Sequence, residues 1–157
     1  MRKGRGSRPA AGCQAALPAC HDHSVNQQDW DNLSHVEQCF FINAMEMDIL
    51  PGVRGDLDEA AQRQPLDELA RILLSLVDRG WIEVRRYERW ISDAGLEGLT
   101  PGEVVPRPEL PHVLADPANW EYPDDPSWIG ALTLVRTDAG LAVSRLSPEE
   151  AAERDKA

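Results

Sequence analysis

Pro65–Val84, PLDELARILLSLVDRGWIEV, is the stretch on which the fold turns. Leu66, Leu69, Ala70, Leu73, Leu76 and Val77 recur at helical spacing, and Ile72 and Leu74 widen the stripe to more than half the helix. The spacing predicts a helix over Pro65–Arg79 at the centre of a core, with Pro65 at the first helical position, where no N–H is needed. Gly80 is placed to take the left-handed conformation that ends a helix, and Arg79 sits beside the negative helix terminus. Trp81–Tyr87 then reads as a strand with Ile82 and Val84 turned inward.

Working outward, Ser34-His35-Val36-Glu37 has the spacing of a capping box, so an earlier helix starts at Ser34 and is expected to run to about Ile49, where Pro51-Gly52 stops it. Val36, Cys39, Phe40, Phe41, Ile42, Ala44, Met45, Met47 and Ile49 surround that helix with apolar groups, which predicts burial on more than one side. Asp56-Leu57-Asp58-Glu59 predicts a carboxylate-capped short helix over 57–63, with Asp56 as the cap. From Glu88 to Ser127 the chain carries seven of its twelve prolines and reads as one long loop, with Trp90, Trp120 and Trp128 pinning it to the body. Within it, Thr100-Pro101-Gly102-Glu103 could cap a single helical turn. Trp128–Thr137 reads as the returning strand and Asp138-Ala139-Gly140 as a turn. The expectation is one domain over 29–146, between a disordered N-terminal tail at 1–28 and a polar C-terminal tail at 147–157.

Composition narrows the function. The formal charge is −11, and it is uneven: residues 1–24 hold four basic groups against one acidic, leaving twelve basic against twenty-six acidic, a net of −14, on the rest. Such a field repels polyanions and favours basic partners. Cys13, Cys20 and Cys39 cannot all pair within one chain, which points away from a disulfide framework and towards the cytoplasm. No apolar run approaches membrane-spanning length. Leu17-Pro18-Ala19-Cys20 faintly resembles a lipoprotein cleavage box, but the segment before it lacks the aliphatic stretch a signal peptide needs.

Leu69-Ala70, Leu76-Val77-Asp78-Arg79-Gly80-Trp81-Ile82 and Leu134-Val135-Arg136-Thr137-Asp138-Ala139-Gly140 together resemble the winged-helix superfamily, in the broad style of MarR- or PadR-type bacterial regulators. The resemblance covers about 57–143 and implies an α+β winged-helix-like domain: three helices plus a β-hairpin, here with a long proline-rich wing. It also implies a transcription regulator. Two features of the residues depart from that function. The excursion between the strands is about forty residues, and the presumed recognition helix exposes Asp67, Glu68, Arg71, Ser75, Asp78 and Arg79, a net negative face.

The basic cluster available to a phosphate backbone is Arg79, Arg85, Arg86 and Arg89. Cys13, Cys20, His21 and His23 lack both the paired spacing and the apolar scaffold of a zinc site, so no metal is assigned. The motifs of serine hydrolases, zinc proteases and P-loop enzymes are missing, and Asp124-Asp125 reads as a solvated turn; no cofactor is implied and the chain reads as non-enzymatic. Phe41, Met45, Trp90 and Trp120 are the candidate protein interface, for a partner protein or a homodimer. The favoured reading is a protein-binding regulatory module. The second is a dimeric DNA-binding regulator using the arginines, and the third is an acidic DNA mimic.

Overall fold

The computed structural model describes residues 27–143; the expected C-terminal tail, residues 1–26 of the expected N-terminal tail and the Cys13, Cys20, His21 and His23 group lie outside them, while Gln27 and Gln28, expected in that tail, open a short helix. The described chain is α+β, with seven α-helices and one three-stranded antiparallel sheet of order β2-β1-β3. The elements run α1 (Gln27–Asp31), α2 (His35–Glu46), α3 (Leu50–Asp56), α4 (Glu59–Gln62), α5 (Leu66–Asp78), β1 (Ile82–Ile91), β2 (Glu97–Val104), α6 (Leu110–Ala115), β3 (Leu132–Arg136) and α7 (Asp138–Val143). Short 3-10 turns at Arg107–Glu109 and Pro117–Trp120 flank α6.

The capping box forms as its spacing predicts. The Glu37 N–H donates to Ser34 Oγ at 3.2 Å, and the Ser34 N–H donates to Glu37 Oε2 at 2.7 Å. The helix ends earlier than expected. Met47 takes a left-handed conformation, φ 55°, because the next residues are drawn to the sheet. Thr133 Oγ1 donates to the Met47 carbonyl at 2.8 Å, the Leu134 N–H donates to the Asp48 carbonyl at 3.1 Å, and Ile49 forms a bridge with Thr133. Pro51, expected as a stop, instead sits in the first turn of α3, where its missing N–H costs nothing. The cap of α4 is also corrected: Asp58, not Asp56, accepts the Ala61 N–H at 2.7 Å, while Asp56 accepts from Asn43 Nδ2 at 3.0 Å.

Helix α5 is the core helix. Leu69, Leu73 and Leu76 are fully buried, and Ile72, Leu74 and Val77 pack against the cluster from its margin. Pro65 is the residue before the helix rather than its first, and Gly80 (φ 75°) makes the left-handed stop. In β1, Ile82 and Val84 face the core, paired with Arg136 and Leu134 of β3.

The expected forty-residue loop is instead structured. Strand β2 occupies Glu97–Val104, so the predicted helical turn at Thr100–Glu103 is overturned. Pro101 is tolerated because Tyr87, opposite it, donates to Ala131 at 2.9 Å and accepts from Gly130 at 2.8 Å. The Tyr87 backbone therefore faces the segment leading into β3, and the ladder to β2 needs no N–H from Pro101. After β2, α6 packs on α5. Leu110, Leu114 and Trp120 are buried, and the Trp120 indole donates to the Leu114 carbonyl at 2.9 Å and meets Phe40 edge-on at 6.5 Å. Asp138-Ala139-Gly140 is the first turn of α7 rather than a loop, capped by Thr137 Oγ1, which accepts from the Gly140 N–H at 3.0 Å. A Cβ on Gly140 would lie 2.1 Å from the Trp81 carbonyl, so glycine is what allows α7 to approach β1.

Replacement of Leu73 by alanine should cost about 2–5 kcal/mol in urea unfolding, and of Trp120 about 3–5 kcal/mol. A loss below about half a kcal/mol at either site, well under that range, would show that the side chain is not in the packed core.

Candidate functional site: the outer half of the β1–β2 hairpin

Burial along β1 divides it in two. Ile82 and Val84 are buried, whereas everything from Glu88 to Ile91 is exposed. The hairpin therefore leaves the core about halfway along its length. Its turn is closed by the Gly95 N–H on the Ser92 carbonyl at 2.9 Å and the Leu96 N–H on Ser92 Oγ at 3.0 Å, with Gly95 at φ 80°. On this outer half Trp90 is 50% exposed and Leu96 68% exposed, with Ile91 and Leu99 also open to solvent. Clustered exposed apolar groups of this size mark an interaction surface more often than scattered ones do.

The two faces of the hairpin differ. Alternation places Tyr87, Arg89 and Ile91 on one side, paired with Pro101, Leu99 and Glu97. There Arg89, Glu97, Leu99, Ser127 and Ile129 line an open hollow of about 350 Å³. Glu88 and Trp90 lie on the other side, opposite Thr100 and Gly98. A second, smaller and more enclosed groove of about 230 Å³ runs between α3 and the 118–132 segment, past Pro51, Ala118, Pro123 and Leu132.

The four arginines do not form one basic patch. Arg79 lies before the start of β1, pairs with Glu37 at 3.6 Å and stacks 5.1 Å over the Trp81 ring. Arg85 pairs with Glu83 at 2.7 Å and donates to the Gly102 carbonyl at 2.9 Å. Arg89 pairs with Glu97 across the hairpin. Arg86, on the opposite side of the strand, donates to the Gly130 carbonyl at 3.0 Å. Two carboxylates on the exposed face of α5, Glu68 and Asp78, are paired in the same way. Arg71 binds Glu68, and Arg107 forks onto Asp78 at 2.6 and 3.0 Å. Those hydrogen bonds hold the Glu68 and Asp78 carboxyls below their ordinary range.

Two residues expected at a protein interface are inside the fold. Phe41 is 0% exposed, held between Trp30 at 5.8 Å and Trp81 at 5.9 Å, and Trp120 is 2% exposed under α6. Met45 remains open beside Ile42, and Trp90 remains open on the hairpin. Trp128 is half-buried, at φ 56°, and meets Tyr122 at 6.1 Å. Ile91, Leu96 and Leu99 were missed. Their signal was present as a strand-forming run to Ile91, the turn residues Ser92-Asp93-Ala94-Gly95, and a second run from Leu96.

Cys39 lies 3.8 Å from His35 Nε2 and from the Asp56 carbonyl. Burial, then Asp56 and Asp58, raise its thiol pKa, the reverse of what an activated nucleophile needs. Among the described residues no three His, Cys, Asp or Glu side chains converge as a metal ion requires, and no helix is long and apolar enough to cross a membrane. No protein-family model, curated protein or solved structure matches the chain.

Because the folded thiol pKa lies above the unfolded one, the stability Cys39 contributes is complete below about pH 8.5 and is lost as pH rises through the folded pKa. Wild type should therefore lose more stability than Cys39→Ala between neutral and alkaline pH. At pH 8 the peptide containing Cys39 should alkylate only as fast as the fold opens, read by mass spectrometry. Alkylation at the rate of a free thiol would contradict the assignment.

Proposed function

We propose that this chain is a non-enzymatic, winged-helix-like regulatory module that binds a protein through the outer half of the β1–β2 hairpin. The observation that carries the reading is the coincidence, on one projecting hairpin, of exposed Trp90, Ile91, Leu96 and Leu99 with arginines already paired to carboxylates. Aromatic and aliphatic anchors on a rigid element suit protein recognition, and neutralised arginines suit phosphate binding poorly.

The order of elements supports the winged-helix part. Helix α2 is followed by the Ile49 bridge to β3, helices α3 to α5, then β1 and β3 side by side, with β2 and α6 inserted between them. The same insertion weighs against α5 as a reading helix, because α6 packs along it and Arg107 engages Asp78 near its end. One observation favours DNA as the second reading: among the described residues, exposed Arg86 forms no ion pair.

A photo-crosslinking residue at position 96 should capture a protein in cells, while one at position 71 should not. Leu96→Asp should abolish a capture made from a crosslinker at position 91. A self-adduct would assign the surface to a homodimer. Binding to DNA should be no tighter than the micromolar-to-submillimolar range of nonspecific contacts at physiological salt. Nanomolar binding to a palindromic site, lost in Arg86→Glu, would overturn the protein-binding reading.

A further inference from the structure

We propose that the Glu88–Trp90 side of the hairpin is a binding shelf for a lysine or arginine in an extended segment of a basic protein partner. This rests on the protein-binding reading above and names the partner's chemistry.

The shelf is built by small residues. Opposite Glu88 and Trp90, the β2 residues on this side are Gly98 and Thr100, and Gly102 follows at the irregularity in the pairing. A Cβ at Gly98 would touch Trp90 Cε3 at 3.4 Å, so the indole leans over that glycine. A Cβ at Gly102 would fall 2.2–2.4 Å from Cδ, Oε1 and Cγ of Glu88, so the carboxylate arm lies where a side chain at 102 would stand. Both side chains of β1 thus lie over glycines of β2, Trp90 over Gly98 and Glu88 over Gly102, with Thr100 as the β2 side chain between them. Among the described residues strand β2 pairs only with β1, and no described strand covers its other edge.

The chemistry is that of a cation site. Among the described residues Glu88 forms no ion pair, and it is exposed. Trp90 offers an indole face two residues away. Arg86 shares this side of β1, but its guanidinium is turned the other way, onto the Gly130 carbonyl of the segment leading into β3. An aliphatic stem can therefore lie on the Trp90 ring while its ammonium or guanidinium reaches Glu88. Charge selects among occupants. A second copy docking edge to edge would bring up another chain of the same net charge, −11, which is unfavourable. A basic segment is drawn in by the field of a chain with net charge −11.

The test is an NMR titration of the full-length, nitrogen-labelled protein with the peptide acetyl-Thr-Val-Lys-Val-Thr-amide and its Arg and Glu counterparts, at one fixed salt concentration. The Lys and Arg peptides should shift the Trp90 indole and the Gly98 and Gly102 amides, and the Glu peptide should not. Glu88→Gln and Trp90→Ala should each weaken binding by about two- to five-fold, the range for an exposed ion pair or cation–π contact. Glu59→Gln removes the same charge from exposed α4 and should leave binding unchanged. Equal weakening by Glu59→Gln and Glu88→Gln would reduce the effect to net charge and overturn the shelf. A shift of the Trp90 indole when Arg2, Lys3, Arg5 and Arg8 are replaced by Gln would give the shelf to the chain's own N-terminal segment and likewise overturn a partner site. Failure of the peptides alongside intact capture at position 96 would overturn this inference and leave the protein-binding reading standing. Failure of both would remove both.

Discussion

Much of the fold depends on the point where residues 47–49 meet β3. Thr133 is fully buried, and its hydroxyl donates most closely to the backbone carbonyls of Met47 and Asp48, at 2.8 and 3.1 Å, ahead of the Leu134 carbonyl at 3.4 Å. The Tyr87 hydroxyl converges on the same Met47 carbonyl. A buried hydroxyl left unpaired costs more than the bond itself contributes, so this junction holds residues more than eighty positions apart in one geometry. It sets where α2 ends and where α3 begins. It also places β3 beside β1, so everything between them must leave and return to one place.

That return explains how an apolar helix is accommodated. Helix α2 carries too many apolar groups for a single contact face. Phe40 goes inward to Trp120, supplied by the segment between β2 and β3, while Phe41 goes to Trp30 and Trp81, supplied by α1 and the start of β1. The inserted segment is thus part of the core. Its other anchors are Leu110 and Leu114 against α5 and the fork of Arg107 on Asp78. What α2 leaves uncovered among the described residues is narrow, Ile42 and Met45.

The charge follows a similar local logic. The arginines of β1 that look like a phosphate-binding row in one dimension alternate between faces in three, and Arg85 and Arg89 find carboxylates on their own hairpin. The hairpin then presents apolar groups and the acidic Glu88, which is why the proposed function and the proposed shelf both point to a protein with basic character.

The sequence by itself determined the α+β class, helix α5 with its glycine stop, the capping box at Ser34 and Glu37, and the inward positions of Ile82 and Val84. Each depends on periodicity or on partners within a few residues, and such patterns are legible along a chain. The apolar tip of the hairpin was legible too, in the Ser92–Gly95 turn residues, but seven prolines nearby made the region read as loop. Only the tertiary structure decided that Phe41 and Trp120 are core, that Pro101 stands in an edge strand, and that the four arginines are dispersed. Those outcomes depend on which distant residue arrives opposite: Trp30 and Trp81 for Phe41, Phe40 for Trp120, the segment leading into β3 for the Tyr87 backbone. Burial and pairing across such separations are set by how the layers close on one another, and no local spacing encodes which neighbour will be there.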